Sequence, residues 1–346
     1  MKKIEFGLMS FADMPPETGD AGINTNKRIQ NLLEEIKLAD DLKMDVFGIG
    51  EHHRPDYAVS SPATVLAAAA AITQNIKLTS AVTVLSSDDP VRVYQQFATV
   101  DQISNGRAEI MAGRGSFIES FPLFGYNLQD YDNLFEEKLG LLLKINNQTN
   151  ISWQGRHRAA INQLGVYPRA LHGSLPIWLA AGGSPQSAIR AAKLNLPLIL
   201  AIIGGSPEQF TRFINLYKSS CIQLGKKEED IQLGINNHVF IGESSGETAD
   251  LFFPYYAQMM DRVGKDRGWQ PITKEQYEYM RSPSGSLMVG SVKEVTEKIL
   301  YEYKLFGFTR FLAQASLGVV PHQLTMRSIE LFATKVVPDV KKRLGL

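Results

Sequence analysis

Three short polar segments of this 346-residue chain combine residue types that could carry out chemistry. The first, Glu51-His52-His53, follows an apolar run. A histidine there could be a general base, a stabiliser of a developing anion or a metal ligand, or it could hydrogen-bond a loop. The metal interpretation is weak, because adjacent histidines in a turn point in different directions and the sequence has no H-x-H or H-E-x-x-H pattern. Spacing alone leaves catalytic and structural roles open.

The other two segments are rich in glycine and could hold an anion. Gly113-Arg114-Gly115 allows close backbone approach and offers a guanidinium fork suited to phosphate, although a tight turn with a solvated arginine fits equally. In the segment Gly182-Gly183-Ser184-Pro185-Gln186-Ser187, Ser184 is the expected N-cap of a helix. The backbone donors of that helix start and the hydroxyls of Ser184 and Ser187 form a natural phosphate pocket, although an ordinary capped helix has the same pattern. The two segments follow neighbouring strands, and together they favour a site for a phosphate-bearing ligand.

The elements that must position these segments follow one repeating rhythm of a short apolar run, a turn and a helical pattern. Such continuous apolar runs are typical of buried parallel strands. The eight runs are residues 4–9, 46–50, 78–85, 108–112, 177–181, 198–203, 234–241 and 308–313. The helices between them have readable ends, such as the capping box Ser291-x-x-Glu294. This α/β pattern predicts a (β/α)8 TIM barrel, in which the C-terminal ends of the strands carry the chemistry.

Two stretches are too long for simple loops and are interpreted as insertions after the fourth and seventh strands. They span approximately residues 146–175 and 243–290. The second is rich in tyrosine and methionine, so it could be a lid over the active site or a packed helical hairpin. The lid is the favoured interpretation.

Composition excludes several classes of protein. Lysine plus arginine and aspartate plus glutamate both number 36, so the chain lacks the excess positive charge of a nucleic-acid-binding protein. The single cysteine excludes an intramolecular disulfide and a multi-cysteine metal site. Apolar runs such as residues 198–203 are too short to span a membrane, and Glu5 interrupts any signal-peptide core. A cytoplasmic protein is therefore expected.

In ordered combination, these segments resemble the bacterial-luciferase-like, flavin-dependent monooxygenases almost end to end. The resemblance also includes Pro90-Val91-Arg92 after the third strand and the Asn105-Gly106-Arg107 helix end. It implies a single luciferase-like barrel domain over residues 1–346. It also implies that reduced FMN reacts with oxygen to form a flavin 4a-hydroperoxide, which oxidises a small, apolar organic substrate.

The resemblance assigns roles to individual residues. His52 matches the catalytic histidine of the family, and Phe117 falls beside the flavin. Ala81 and Val82 match a bulge beneath the flavin ring, where the family often has a non-proline cis peptide. The positions that hold the flavin phosphate are matched by Arg114, Ser184 and Ser187, with Gly182 and Gly183 in the same loop; no metal site is implied.

The resemblance also implies partners, and it leaves other functions open. A separate NAD(P)H-dependent flavin reductase would supply reduced FMN, since no G-x-G-x-x-G fingerprint follows a predicted strand. A homodimer is expected through the helices beside the second and third strands. The alternatives are a deazaflavin-dependent dehydrogenase on the same fold and a non-catalytic flavin-binding protein. A metal-dependent barrel hydrolase is disfavoured by the lack of paired ligands.

Overall fold

A computed structural model describes residues 3–15, 24–115, 117–265 and 267–346. Its strands are β1 (Glu5–Ser10), β2 (Val46–Ile49), β3 (Lys77–Ser80), β4 (Thr83–Val84), β5 (Ala108–Gly113), β6 (Asn150–Trp153), β7 (Ile161–Gly165), β8 (Ile177–Ala181), β9 (Leu198–Ala201), β10 (Leu233–Gly242), β11 (Met288–Ser291) and β12 (Arg310–Ser316). Its helices are α1 (Thr25–Asp41), α2 (Pro62–Ile72), α3 (Pro90–Ser104), α4 (Ser120–Leu123), α5 (Tyr131–Asn147), α6 (Pro185–Lys193), α7 (Thr211–Gln223), α8 (Ser245–Lys265), α9 (Lys274–Arg281), α10 (Val292–Phe306), α11 (His322–Leu331) and α12 (Val337–Leu344).

Eight parallel strands close into a barrel, which confirms the predicted TIM-barrel fold. The ring runs β1-β2-β3-β5-β8-β9-β10-β12, and β12 pairs with β1 to close it. Each of the eight apolar runs predicted as a strand overlaps one of these strands. The continuous runs arise because strands covered by helices on one side and by the barrel interior on the other are buried on both faces.

The sequence pattern predicted one strand over residues 78–85, but the structure has two short strands there. β3 ends at Ser80, a cis peptide joins Ala81 to Val82, and the chain resumes as β4. The backbone N–H of Val84 donates to Oε2 of Glu51 at 2.9 Å instead of continuing the β3 ladder. A side chain from the neighbouring strand end therefore takes part in holding the interrupted segment.

An ion-pair cluster fills the N-terminal end of the barrel. The guanidinium of Arg310, 1% exposed, donates from Nε to Glu5 at 2.8 Å and from Nη1 to Glu109 at 2.7 Å. It also lies 4.1 Å from the ring centroid of Trp178. These side chains occupy the barrel interior below the strand centres, so the space for a ligand lies towards the C-terminal ends.

The two long stretches form separate structures outside the barrel ring. Residues 146–175 contain the end of α5 and the antiparallel hairpin β6–β7. Residues 243–290 contain α8, α9 and most of β11, which adds to β10. Helices α8 and α9 share a small hydrophobic core with Phe240 and Leu317, at the C-terminal ends of barrel strands.

The α8–α9 hairpin is therefore packed, and it also reaches the loops around the barrel mouth. Arg262 donates to the carbonyl of Met14 at 2.8 Å, and Arg267 lies 5.8 Å from the ring centroid of Phe117. Within the described ranges, no helix is both long and apolar enough to cross a membrane.

Candidate active site

A cavity of about 290 Å³ opens at the C-terminal ends of the barrel strands. Five of the predicted site residues line it, namely His52, Ala81, Val82, Arg114 and Gly182. The other lining residues are Met9, Phe11, Glu51, Met111, Gly113, Gly115, Tyr131, Ala180, Ala181, Ile199, Ala201 and Asn236. Apolar side chains thus surround a small number of polar groups, as in most small-molecule sites.

His52 is held by aromatic rings on three sides. Its ring stacks on Tyr57 at a centroid distance of 4.1 Å and meets Phe11 edge-on at 4.6 Å and Phe117 edge-on at 5.3 Å. Burial, together with the charges of His53 and Arg54, lowers the pKa of His52 to about 3. The imidazole is therefore neutral near pH 7. Its Nε2 is buried without a hydrogen-bond partner in the described part of the chain, so it can bond to a bound molecule.

The adjacent histidine has different surroundings. Nε2 of His53 lies 3.0 Å from Oε1 of Glu51, and its ring meets Phe124 edge-on at 5.1 Å. The second carboxylate oxygen of Glu51 accepts the hydrogen bond from Val84 described above. Glu51 therefore links the turn after β2 to the segment after β3, and His53 takes part in that link.

One wall of the cavity needs glycine because the side chains of Ala81 and Val82 come close to the neighbouring strands. A Cβ atom at Gly113 would lie 2.7 Å from Cγ2 of Val82, and one at Gly48 would lie 2.8 Å from Cβ of Ala81. The Ala81–Val82 segment thus packs against the neighbouring strands β2 and β5. It presents two small side chains to the cavity.

Arg114 lies at the edge of the cavity with its guanidinium turned to an acidic neighbour. Its Nη1 is 2.6 Å from Oδ1 of Asp132, and its Cζ is 5.2 Å from the ring centroid of Tyr131. The Tyr131 hydroxyl donates to the carbonyl of Gly115 at 3.0 Å. Because Asp132 is well exposed, this ion pair contributes little to stability, and the guanidinium can change partner at small cost.

The start of α6 has the predicted arrangement, with Ser184 as N-cap and Pro185 as the first helical residue. The Ser184 side chain makes no capping bond to the backbone; its Oγ lies 2.8 Å from Oγ of Ser187. Gly183 has a φ of +109°, which favours glycine, and a Cβ at Gly182 would meet nothing within 4 Å. The Ser184 side chain therefore leaves the backbone N–H donors at the start of α6 uncapped.

Four predicted site residues do not line the cavity: Phe117, Gly183, Ser184 and Ser187. Phe117 contacts the site through the ring of His52, whereas the other three continue the loop beyond Gly182.

Several lining residues were missed by the sequence analysis, and one of them had a signal. Asn236 is a polar residue inside the buried run of β10, and its Nδ2 donates to the carbonyl of Leu312 at 3.1 Å. A polar residue in a strand buried on both faces is informative because it needs a partner or a ligand. Tyr131 had no such signal, because it begins a helix 18 residues after β5. Among the residues with described positions, no group of three or more His, Cys, Asp or Glu could hold a metal ion.

Comparisons with known proteins show the family and the fold of this chain. The model of the luciferase-like monooxygenase family matches residues 4–310. A monooxygenase from Streptomyces bottropensis superposes with a TM-score of 0.84 at 22% identity, covering 97% of this chain and 99% of that one.

Two further solved structures have the same fold, one of a protein in complex with FMN and one of a coenzyme F420-dependent enzyme. The oxygenating constituent of 3,6-diketocamphane monooxygenase from Pseudomonas putida, in complex with FMN, has a TM-score of 0.77 at 20% identity and covers 97% of this chain and 98% of its own. The coenzyme F420-dependent tetrahydromethanopterin reductase from Methanopyrus kandleri has a TM-score of 0.74 at 18% identity and covers 98% of this chain and 100% of its own.

Proposed function

The chain belongs to the luciferase-like monooxygenase family, and from this we propose that it uses reduced FMN and molecular oxygen to oxygenate a small organic molecule. The observation that carries the proposal is His52, a buried and neutral imidazole with an unbonded nitrogen at an apolar cavity. Such a group can hold or move a proton at a bound molecule from which water is excluded.

The residues present fit a flavin. The open loop at Gly182 and Gly183, the adjacent serine hydroxyls and the guanidinium of Arg114 provide donors for a phosphate. The small side chains of Ala81 and Val82 and the apolar side chains of Met111 and Ile199 provide a wall for a flat ring system. When bound, reduced FMN supplies the electrons that activate oxygen.

The chain's own residues then have separate tasks. Arg114, Ser184 and Ser187 bind the phosphate, and Ala81 and Val82 support the ring. His52 holds a proton at Nε2 or accepts one there, and Phe11, Tyr57 and Phe117 fix the plane of its imidazole.

We further propose that a separate NAD(P)H-dependent flavin reductase delivers reduced FMN, since the sequence has no dinucleotide fingerprint after a strand. A homodimer formed through α2 and α3 belongs to the same proposal.

A deazaflavin-dependent dehydrogenase is the second candidate, because an F420-dependent reductase shares the fold. Anaerobic titration with reduced FMN and with reduced coenzyme F420, read by absorbance, separates the two. Binding of FMN at least about tenfold tighter than that of F420 supports the monooxygenase, and the reverse order supports the dehydrogenase. A third outcome would indicate a non-catalytic flavin-binding protein. In that case FMN binds, the protein does not change the reaction of reduced FMN with oxygen, and a screen of ketones, alcohols and thioethers gives no oxygenated product.

A further inference from the structure

A second pair of polar side chains joins barrel strand β10 to helix α8, which packs over the end of that strand. His238 lies on β10, two residues beyond the cavity-lining Asn236, so both side chains are on the same face of the strand. The ring of Tyr256, from α8, meets that of His238 edge-on at a centroid distance of 5.8 Å. His238 is therefore closer to the barrel mouth than Asn236, with α8 above it.

Both side chains are buried with a polar atom unused. Neither Nδ1 of His238 nor the hydroxyl of Tyr256 has a hydrogen-bond partner within residues 3–15, 24–115, 117–265 and 267–346. The nearby Tyr277 is different, because its hydroxyl donates to the carbonyl of Ala249 at 3.0 Å. Buried polar atoms are nearly always bonded in folded proteins, so two unbonded ones on side chains in contact provide a place where one polar group can bind both.

The chemistry of His238 and Tyr256 limits which polar groups can bind to both. Burial lowers the pKa of His238 to about 4 and raises that of Tyr256, so both groups are neutral near pH 7. A tyrosine hydroxyl can donate, whereas Nδ1 donates or accepts according to the tautomer. A hydroxyl or a carbonyl oxygen satisfies both atoms, whereas a carboxylate would be buried without a compensating charge.

The position of the pair also indicates which end of a ligand it meets. In the closed ring, β12 and β1 separate β10 from β2, the strand that His52 follows. The pair is therefore nearly across the barrel mouth from His52. A molecule that reacts beside His52 and reaches past Asn236 would present its distant end to His238 and Tyr256.

We propose that His238 and Tyr256 form a specificity subsite for an uncharged oxygen group, a hydroxyl or a carbonyl, at the end of the substrate remote from His52. The inference rests on the proposed function, and it assigns the substrate class as an apolar body carrying one such group.

The test measures binding, not turnover, by calorimetric titration of the protein with and without FMN. The probes are 2-heptanone, 2-heptanol, heptanoate and 1-chlorohexane. The wild type should bind the ketone or the alcohol at least about tenfold more tightly than 1-chlorohexane, and heptanoate more weakly than either. The preferred oxygen probe distinguishes a carbonyl from a hydroxyl.

Two tyrosine variants provide the matched comparison. Tyr256→Phe should lose the preference for the oxygen probe, whereas Tyr277→Phe should keep it, because the Tyr277 hydroxyl is already bonded to protein. His238→Gln, which preserves a neutral polar group, serves as a second variant and should change the preference without abolishing binding of 1-chlorohexane.

An unchanged preference in Tyr256→Phe, an equal loss in both tyrosine variants, or tightest binding of heptanoate would overturn the subsite. An ordered water that satisfies the pair would give the first of these results. Failure of the proposed function can be distinguished from failure of the subsite. A protein that does not bind FMN refutes the proposed function, and the titration of the probes without FMN still tests the subsite.

Discussion

Two adjacent histidines show how surroundings decide what one residue type does. His52 is enclosed by aromatic rings and keeps an unbonded Nε2, whereas His53 is bonded to Glu51. The pair could not be separated from spacing, because the rings of Tyr57 and Phe117 reach His52 only in the folded chain.

His52→Ala should retain FMN binding and lose oxygenation. General acid–base assistance typically contributes ~10²–10⁴-fold, so the yield of oxygenated product per FMN oxidised should fall steeply. The measurement is product analysis beside a hydrogen peroxide assay, with a substrate found by screening. Because the pKa of His52 is about 3, its proton occupancy should not produce a pH dependence of the rate above about pH 5. Unchanged yield would assign His52 a structural role.

Arg114→Ala should weaken FMN binding by about one to two decades and leave riboflavin binding unchanged. A charge-assisted contact to the phosphate is worth roughly 1.5–3 kcal/mol, and riboflavin has no phosphate. Flavin fluorescence titration measures both ligands.

Asp132→Asn is the matched control, because it removes the charge that now holds the guanidinium. It should bind FMN at least as tightly as the wild type. Equal losses of FMN and riboflavin in Arg114→Ala would contradict a phosphate contact.

At the scale of elements, two helix starts that look alike in sequence differ in structure. Ser291 accepts from the N–H of Glu294 in the predicted capping box of α10, which is confirmed. Ser184 occupies the same position in α6 but contacts Ser187.

Ser291→Ala should therefore lower the free energy of unfolding by ~1 kcal/mol. The double variant Ser184→Ala/Ser187→Ala should cost less stability without ligand, because no backbone capping bond is lost. It should nevertheless weaken FMN binding. Urea unfolding and FMN titration of the same preparations test both parts, and normal FMN affinity of the double variant would place the phosphate elsewhere.

Local patterns predicted elements well and contacts between elements poorly. Apolar runs located all eight barrel strands, since burial on both faces leaves a local mark. The break at Ala81–Val82 could not be found from apolarity, because Glu51, from the turn after β2, takes part in holding the segment that follows it. Glu302 shares a helix face with Val295 and Ile299, yet its partner Asn237 comes from β10.

Glu302→Gln should change how stability depends on pH. Burial raises the pKa of Glu302 from 4.5 to about 8. Between these values the folded protein holds a proton that the unfolded chain has lost, so the free energy of unfolding falls as the pH rises through this window. Relative to Glu302→Gln, the wild type should lose roughly 2–3 kcal/mol between pH 5.5 and 8.

Urea unfolding across that range is the measurement, and Glu297→Gln on the same helix is the control. Glu297 is exposed and pairs with Arg343, so its removal should leave the slope with pH unchanged above pH 5.5. Parallel curves for the wild type and Glu302→Gln would show that Glu302 is ionised in the folded protein.

At the scale of the whole molecule, strand order brings residues of distant sequence to one cavity. The eightfold rhythm predicted that strand ends would meet, and the cavity does join His52, Arg114 and Gly182. It could not predict that Ser184 and Ser187 lie outside the lining, because their positions depend on loop paths and strand tilt.

The exposed face of helix α2, on the outside of the barrel, has an unusual composition for a protein surface. Helix α2 has no charged residue, and its exposed positions Thr64, Ala68, Ala71 and Ile72 are small or apolar. An uncharged, partly apolar helix face is typical of a protein–protein interface. The proposed homodimer would cover this face, with α3 beside it.

Ala68→Arg should convert the proposed dimer to a monomer. In an interface with two-fold symmetry the same patch contributes from both copies, so one substitution places two arginines in or near the contact. Their desolvation and mutual repulsion should raise the dissociation constant of the dimer by about tenfold to a hundredfold. Sedimentation velocity over a concentration series measures this constant. Asn215→Arg, on the exposed face of α7 elsewhere on the barrel, is the control and should leave the dissociation constant unchanged. A wild type that sediments as a monomer, or an Ala68→Arg variant that stays as dimeric as the control, would show that α2 is not the interface.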